Sequence, residues 1–265
     1  MSNRFYSSAP IDGSYAVLDG PEAHHLLHVM RLTTGAEVVL FDGSGCEFTA
    51  RVLGAGRSDV KFEILDRLEV DRELPFDFTI GVALPKGDRQ RWLIEKSVEL
   101  GVTRIVPLVV ARGVAQPGTT ALMRLRRAVI EAAKQCGRNC LAEITEPSGW
   151  SEFISMPENS VPRFVAHPGG QPLSNLTDID APNRSTVCVA VGPEGGFTDG
   201  EVETATNLGW QVAGLGPRIL RVETAVVAIA AALFLGWHRR CSAPPSRTAT
   251  GTPPRGDERG ARFFF

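Results

Sequence analysis

Short stretches of alternating apolar and polar residues fill the first 70 positions, and from Phe76 onward they give way to apolar runs separated by helical patterns. In the first stretch, strand patterns occur at Ser14 to Leu18, Glu37 to Phe41, Glu47 to Leu53 and Val60 to Leu65, broken by Gly-containing turns. One helical pattern interrupts them from Pro21 to Arg31, with Asp19 or Gly20 near its start and Gly35 beyond its end. A small β-barrel carrying one helix is the natural packing. The segment Glu69 to Pro75 is polar, ends in a proline and reads as a bridge.

Beyond the bridge, apolar strands at Phe78 to Leu84, Arg104 to Val110, Arg163 to Ala166 and Thr186 to Val191 alternate with helices. The helices are expected at about Asp88 to Leu100, Thr120 to Cys136, Thr198 to Leu208 and Val222 to Trp237. This alternation predicts an α/β domain with a parallel sheet covered on both faces. The expected division is therefore a β-rich domain over 1–72, an α/β domain over 73–238 and a tail over 239–265. The tail is rich in Pro, Gly, Ser and Arg without an apolar period, which predicts disorder.

Two loops stand out at predicted strand ends: VGPEGGF (Val191 to Phe197) and LGPRILRVETA (Leu215 to Ala225). Open α/β sheets bind small ligands at the carboxyl ends of their strands. Gly192, Gly195 and Gly196 let a ligand lie against main-chain amides, and Pro193 stiffens the entry. Neither GxxxxGK[ST] nor GxGxxG is present, so recognition by backbone and shape is expected in place of a phosphate clamp or a dinucleotide fold. Taken alone, the Gly-rich segment also reads as a tight turn.

The helix at Thr120 to Arg138 carries Leu122, Leu125, Val129, Ala132 and Cys136 on one face. Arg124, Arg127, Lys134 and Arg138 share the other face with Glu131, which suits an RNA contact or a solvated basic surface. The run Ala225 to Trp237 is apolar nearly all round yet shorter than the about 20 residues a bilayer span needs, so it calls for burial or a partner helix.

Composition narrows the classes further. At 43% hydrophobic and 22% charged residues the chain is an ordinary globular protein. Net charge is −2, which argues against a general nucleic-acid coat and leaves RNA binding to local basic patches. Five scattered cysteines without a CxxC pair argue against a disulfide framework or structural zinc, and Cys136 and Cys188 read as core thiols. His24 and His28 are four apart, but HExxH would need Glu at His25, and no third ligand is evident, so no metal is expected. Without a charged-then-apolar leader or a spanning helix, the expectation is a cytoplasmic protein with no membrane partner.

GPEGGF followed by LGPRILRVETA resembles the last two motifs of the ribosomal RNA small subunit methyltransferase E family, SPOUT-class enzymes that make N3-methyluridine in bacterial small-subunit ribosomal RNA. HHLLHVMRL (His24 to Leu32), FDGSG (Phe41 to Gly45), KGDRQRWLIEKSVELGV (Lys86 to Val102) and QCGRN (Gln135 to Asn139) agree in the same order, and the likeness covers nearly all of residues 1–238. The resemblance implies a PUA-like barrel, a SPOUT domain with a trefoil knot, a homodimer, and 16S rRNA within the small ribosomal subunit as partner. It implies S-adenosyl-L-methionine as cofactor, held by His167, Pro168, Gly192, Glu194, Gly195, Gly196, Leu215, Gly216, Ile219, Leu220 and Thr224. Arg4, His25, Arg31, Lys86, Arg89, Arg124, Arg127 and Lys134 are the expected RNA surface. Arg138 and Arg221 are the expected cations for charge on the uridine carbonyls, and Glu223 or Glu194 the expected proton acceptor. A non-catalytic RNA-binding or ribosome-assembly factor on the same fold is the alternative.

Overall fold

A computed structural model of the chain describes residues 3–157, 161–173 and 186–241; the expected disorder of the tail falls, from residue 242, outside them. The N-terminal unit holds β1 (Arg4–Tyr6), β2 (Tyr15–Asp19), β3 (Glu37–Phe41), β4 (Cys46–Ala55) and β5 (Asp59–Glu69) in the order β1-β3-β4-β5-β2. Alternate residues of β4 (Cys46, Phe48, Ala50 and Val52) turn inward onto Phe5, Leu18, Leu26, Leu40, Val60 and Phe62. That period of two is what gives a strand one buried face. Register shifts where β4 pairs with β5 bend the sheet, but β1 and β2 remain its edges, so the expected barrel is an open half-barrel.

The helix read as one piece over Pro21 to Arg31 is two. α1 (Gly20–His24) has Pro21 in its first turn and widens at once into a π-helical turn, His25–Val29. Met30 N donates to His25 O at 2.9 Å, and Arg31 closes the segment at φ +54°.

The second sheet is parallel throughout, in the order β12-β10-β11-β6-β7-β8, with β9 beside β7. Its strands are β6 (Asp77–Val82), β7 (Arg104–Val109), β8 (Glu143–Ile144), β9 (Ser148–Gly149), β10 (Arg163–Pro172), β11 (Thr186–Val191) and β12 (Gln211–Gly214). Val187, Val189 and Val191 of β11 enter the core on one face, with residues of α2 (Arg89–Glu99), α3 (Thr119–Cys136) and α6 (Val222–Cys241). Cys188 and Ala190 enter the core on the other, with residues of α4 (Trp150–Ser155) and α5 (Asp199–Asn207). A strand buried on both faces must be apolar throughout, which is why β11 reads as a continuous run. Burial pushes the Cys188 thiol up to about 12, in keeping with a core thiol. A Cβ on Gly81 would come within 2.3 Å of the Phe153 ring, so α4 packs directly on bare backbone there.

β10 continues past Ala166 through His167 to Pro172, shifting register against β12 between Ala166 and Gln171. No helix among the described residues is long and apolar enough to cross a membrane.

Candidate active site

A cleft of about 280 Å³ opens where β11 ends and β10 passes through Ala166 to Pro168, between the segment after Val191 and the segment that leads into α6. Its size sits near the lower end of small-molecule sites, roughly 300 Å³ and upward. His167, Pro168, Gly192 to Phe197, Leu215, Gly216, Arg218 to Leu220 and Val222 line it, with Arg112 across from Gly195.

Local bonds fix the first loop. Ala83 N donates to Val191 O at 3.0 Å, and Gly196 N donates to Pro193 O at 2.8 Å, closing a turn. Phe197 then tucks inward, its ring 4.5 Å from that of Trp150. Thr198 and Glu201 exchange capping-box hydrogen bonds and start α5, the position where such a pair satisfies free amides. Burial works against the Glu201 charge, but hydrogen bonds from Ala111 and Thr198 outweigh it and hold the carboxyl below its ordinary range. Arg112 Nη1 donates to Gly195 O at 2.8 Å. Gly196 and Gly216 take φ +68° and +96°, which L side chains rarely adopt, and a Cβ on either would meet nothing within 4 Å. Both therefore present bare backbone to open space. Leu215, Leu220 and Val222 supply apolar wall, while Ile219 at the mouth is 88% exposed.

Charge gathers beside this cleft. Arg89, opening α2, reaches Glu194 Oε1 at 3.1 Å and Glu223 Oε1 at 3.7 Å. Glu223, in the first turn of α6, is only 8% exposed, and its Oε2 is buried without a hydrogen-bond partner. An unsatisfied buried carboxylate oxygen is costly and marks a place where a ligand or proton can settle. Arg218, Arg221 and Thr224 are exposed nearby.

Three expected site residues lie elsewhere. Arg138 is 4% exposed, its Nε and Nη2 on the Glu73 carboxylate and its Nη1 on Val98 O and Val102 O, both at 2.9 Å. Those carbonyls stand where α2 ends and β7 is about to begin, the sheet edge opposite the cleft. Arg4 is buried, with Nη1 on Glu47 and Nη2 on Asn139 Oδ1, each at 2.7 Å. Lys134 is buried too, bonded to Glu22 at 3.0 Å with Glu131 at 3.4 Å and the Phe5 ring at 5.7 Å. The expected outward cation face of α3 is thereby corrected: Arg124 and Arg127 are exposed, while the N-terminal unit covers the last turns of the helix and takes Lys134 inward. The Arg72 guanidinium beside Glu47, joined by Arg4, holds the Glu47 carboxyl down to about 2 against the opposing effect of burial.

Of the remaining expected RNA residues, Arg31 and Lys86 are exposed and His25 is half-buried. Lys96 and Glu99 form a surface pair at 2.7 Å. The rings of His24 and His28 lie 4.6 Å apart, and among the described residues no group of His, Cys, Asp and Glu could hold a metal ion. Arg112 was missed in the sequence; its position three residues beyond the end of β7, at the same sheet edge as the cleft, was the available signal.

Residues 72–234 match a family model described as an RNA methyltransferase domain, and residues 18–65 match one described as an RNA methyltransferase PUA domain. A protein of Bacillus subtilis named Ribosomal RNA small subunit methyltransferase E is 30% identical over 217 residues, covering 78% of this chain and 85% of its own length. Its namesake in Synechocystis is 32% identical over 220 residues, covering 79% and 69%. Among solved structures, a Ribosomal RNA small subunit methyltransferase E from Neisseria gonorrhoeae bound to S-adenosyl methionine matches with a TM-score of 0.78 at 33% identity, covering 88% of this chain and 97% of that one. A protein of Legionella pneumophila with the cofactor SAM bound matches at 0.79 and 30% identity, over the same shares.

Proposed function

Because the chain belongs to the ribosomal RNA small subunit methyltransferase E family, we propose that it transfers a methyl group from S-adenosyl-L-methionine to N3 of one uridine in 16S rRNA. The observation that carries this reading is the cleft at the end of β11 and beside His167 and Pro168 of β10, with bare backbone at Gly196 and Gly216, apolar wall and two carboxylates beside it. S-adenosyl-L-methionine supplies an electrophilic methyl group on a cationic sulfur. His167, Pro168, Gly192, Glu194, Gly195, Gly196, Leu215, Gly216, Ile219, Leu220 and Thr224 would hold it. A heterocycle read by amides and shape suits the bare backbone, and a cationic ligand suits Glu194 and Glu223.

Uridine N3 must lose its proton before it can act as a nucleophile. Glu223 has the unengaged oxygen for that task, and Arg89 anchors the other oxygen. Arg221, exposed two residues earlier, would stabilise negative charge on the uridine carbonyls as a permanently charged fork of donors. Arg138, with its guanidinium engaged at the far edge, has no part in this scheme.

The same reading divides the chain into an RNA-binding PUA-like unit over 1–72 and a catalytic unit over 73–238, with a knot where the chain returns from β12 to α6. It includes a homodimer, supported by α6, which leaves Leu235 53% exposed beside the half-buried Val227, Ala228 and Ala231. The target sits in the small ribosomal subunit in the cytoplasm. The test is methyl transfer from labelled S-adenosyl-L-methionine to small subunits lacking the mark, with mass mapping of the nucleoside formed. N3-methyluridine at one position is expected; no label on subunits or free 16S rRNA would overturn the reading.

A further inference from the structure

Two clefts outside the donor site share a wall. One, of about 560 Å³, lies between the start of α2 and the middle of α3, with Gly87, Gln90, Arg91 and Arg124 in its lining. The other, of about 380 Å³, lies between α3 and the N-terminal unit, with Tyr6, Val17, Pro21 and His25 in its lining. Arg127 and Glu131 line both, which makes them one furrow. At its catalytic end, Asp88 and Gln90 of the lining flank Arg89, whose guanidinium pairs with Glu194 of the donor cleft. The furrow therefore leads from the rim of the reacting site to the half-barrel.

Its chemistry is selective. Arg126 on α3 is engaged, donating to Ile144 O and Glu146, and Arg91 pairs with Glu95 at 2.7 Å. The side chains of Arg124 and Arg127 are exposed and make no hydrogen bond or ion pair among the described residues. At the far end Tyr6 and His25 are half-buried, their rings packed 5.5 Å from Phe41 and 5.9 Å from Phe5, so each is braced from within. Two unengaged guanidinium groups followed by braced aromatic rings match what a single strand offers: phosphates, then an unstacked base. Glu131 and Asp88 in the walls disfavour indiscriminate coating by duplex.

We infer that this furrow holds the single-stranded RNA flanking the methylated nucleotide, with phosphates on Arg124 and Arg127 and a base against Tyr6 and His25. The inference rests on the reading that the donor cleft acts on RNA, and it adds the path by which the half-barrel and the cleft share one strand.

The test uses the full chain and a single-stranded oligouridylate, with binding followed by fluorescence anisotropy across a salt series. The double variant Arg124→Gln/Arg127→Gln should lower the slope of log affinity against log salt by about 1.4, two phosphates at about 0.7 each for a single strand. It should retain wild-type affinity for S-adenosyl-L-methionine, which also reports that it is folded. Arg51→Gln, on the outer face of the half-barrel, should leave the slope unchanged. His25→Ala should weaken binding without changing the slope, as expected of a stacking contact. An unchanged slope in the double variant, or A-form duplex bound as tightly as the single strand, overturns the inference. Methyl transfer to small subunits by the wild-type protein is run in parallel: its failure strikes the proposed function, while an unchanged slope beside active wild-type protein strikes the furrow alone.

Discussion

Two arginine–glutamate clusters sit at opposite edges of the parallel sheet and behave differently. At the edge where the strands end, Arg89 spans Glu194 and Glu223, and one Glu223 oxygen is left without a donor. At the edge where they begin, Arg138 is engaged by Glu73 and two carbonyls, and Arg4 and Arg72 converge on Glu47. Both clusters include residues of strong sequence motifs. What separates them is whether the charge is already answered by the protein. An answered cluster joins the bridge and the N-terminal unit to the end of α3; an unanswered one is available to a ligand.

The sharpest break between the clusters is chemical. Glu223→Gln should slow methyl transfer by about one hundred- to ten-thousandfold, the range of a lost general base, while thermal stability holds or rises. A loss smaller than about threefold in single-turnover transfer would remove Glu223 from the reaction. At the other edge the effect should be on folding: Arg138→Ala should cost about 3 kcal/mol by urea denaturation, since it strands Glu73 and two buried carbonyls. Donor affinity in the folded protein should not change. Lost transfer at unaltered stability would return Arg138 to the chemistry.

Acid titration separates the clusters next. The Glu47 carboxyl is depressed from 4.5 to about 2 in the folded protein, so the stability it contributes is complete above pH 4.5 and fades as pH falls toward 2. At about 1.4 kcal/mol per unit the contribution is about 3 kcal/mol, and Glu47→Gln should flatten that acid limb in melts recorded across the window. Equal acid limbs in both proteins would show that Arg72 and Arg4 do not hold the carboxylate. The smallest effect belongs to Arg89→Ala. Its pair with Glu194 is two-fifths exposed on each side and its contact with Glu223 is long, at 3.7 Å, so stability should change by less than about 1 kcal/mol, and the affinity for S-adenosyl-L-methionine by a few-fold in calorimetry.

The cleft was legible in the sequence because its loops announce themselves: Gly192 to Gly196 and Leu215 to Gly216 interrupt runs whose apolar pattern is otherwise unbroken. The carboxyl end of β11 was legible, since the apolar run Val187 to Val191, buried on both faces, stops at Gly192. β10 was read too short, because Pro168, Gly169 and Gly170 look like a loop while its pairing with β12 uses backbone alone. The π-helical turn at His25–Val29 escaped because periodicity records spacing and not which carbonyl each amide reaches. Arg4, expected on the RNA surface by resemblance alone, is instead held by Glu47 and Asn139, while Lys134 and Arg138 were misplaced for a reason related to that of the π-helical turn. Helical spacing states which residues share a face, but the cover on that face comes from residues such as Glu22, more than a hundred positions away.

Ultraviolet cross-linking of labelled S-adenosyl-L-methionine to the folded chain, followed by mass mapping of the labelled peptides, tests the division between the two edges most directly. Label within residues 192–197 or 215–225 is the expected result. Label on Gln135 to Asn139 or on the bridge around Glu73 would contradict it, and would put the methyl donor at the edge assigned here to holding the two domains together.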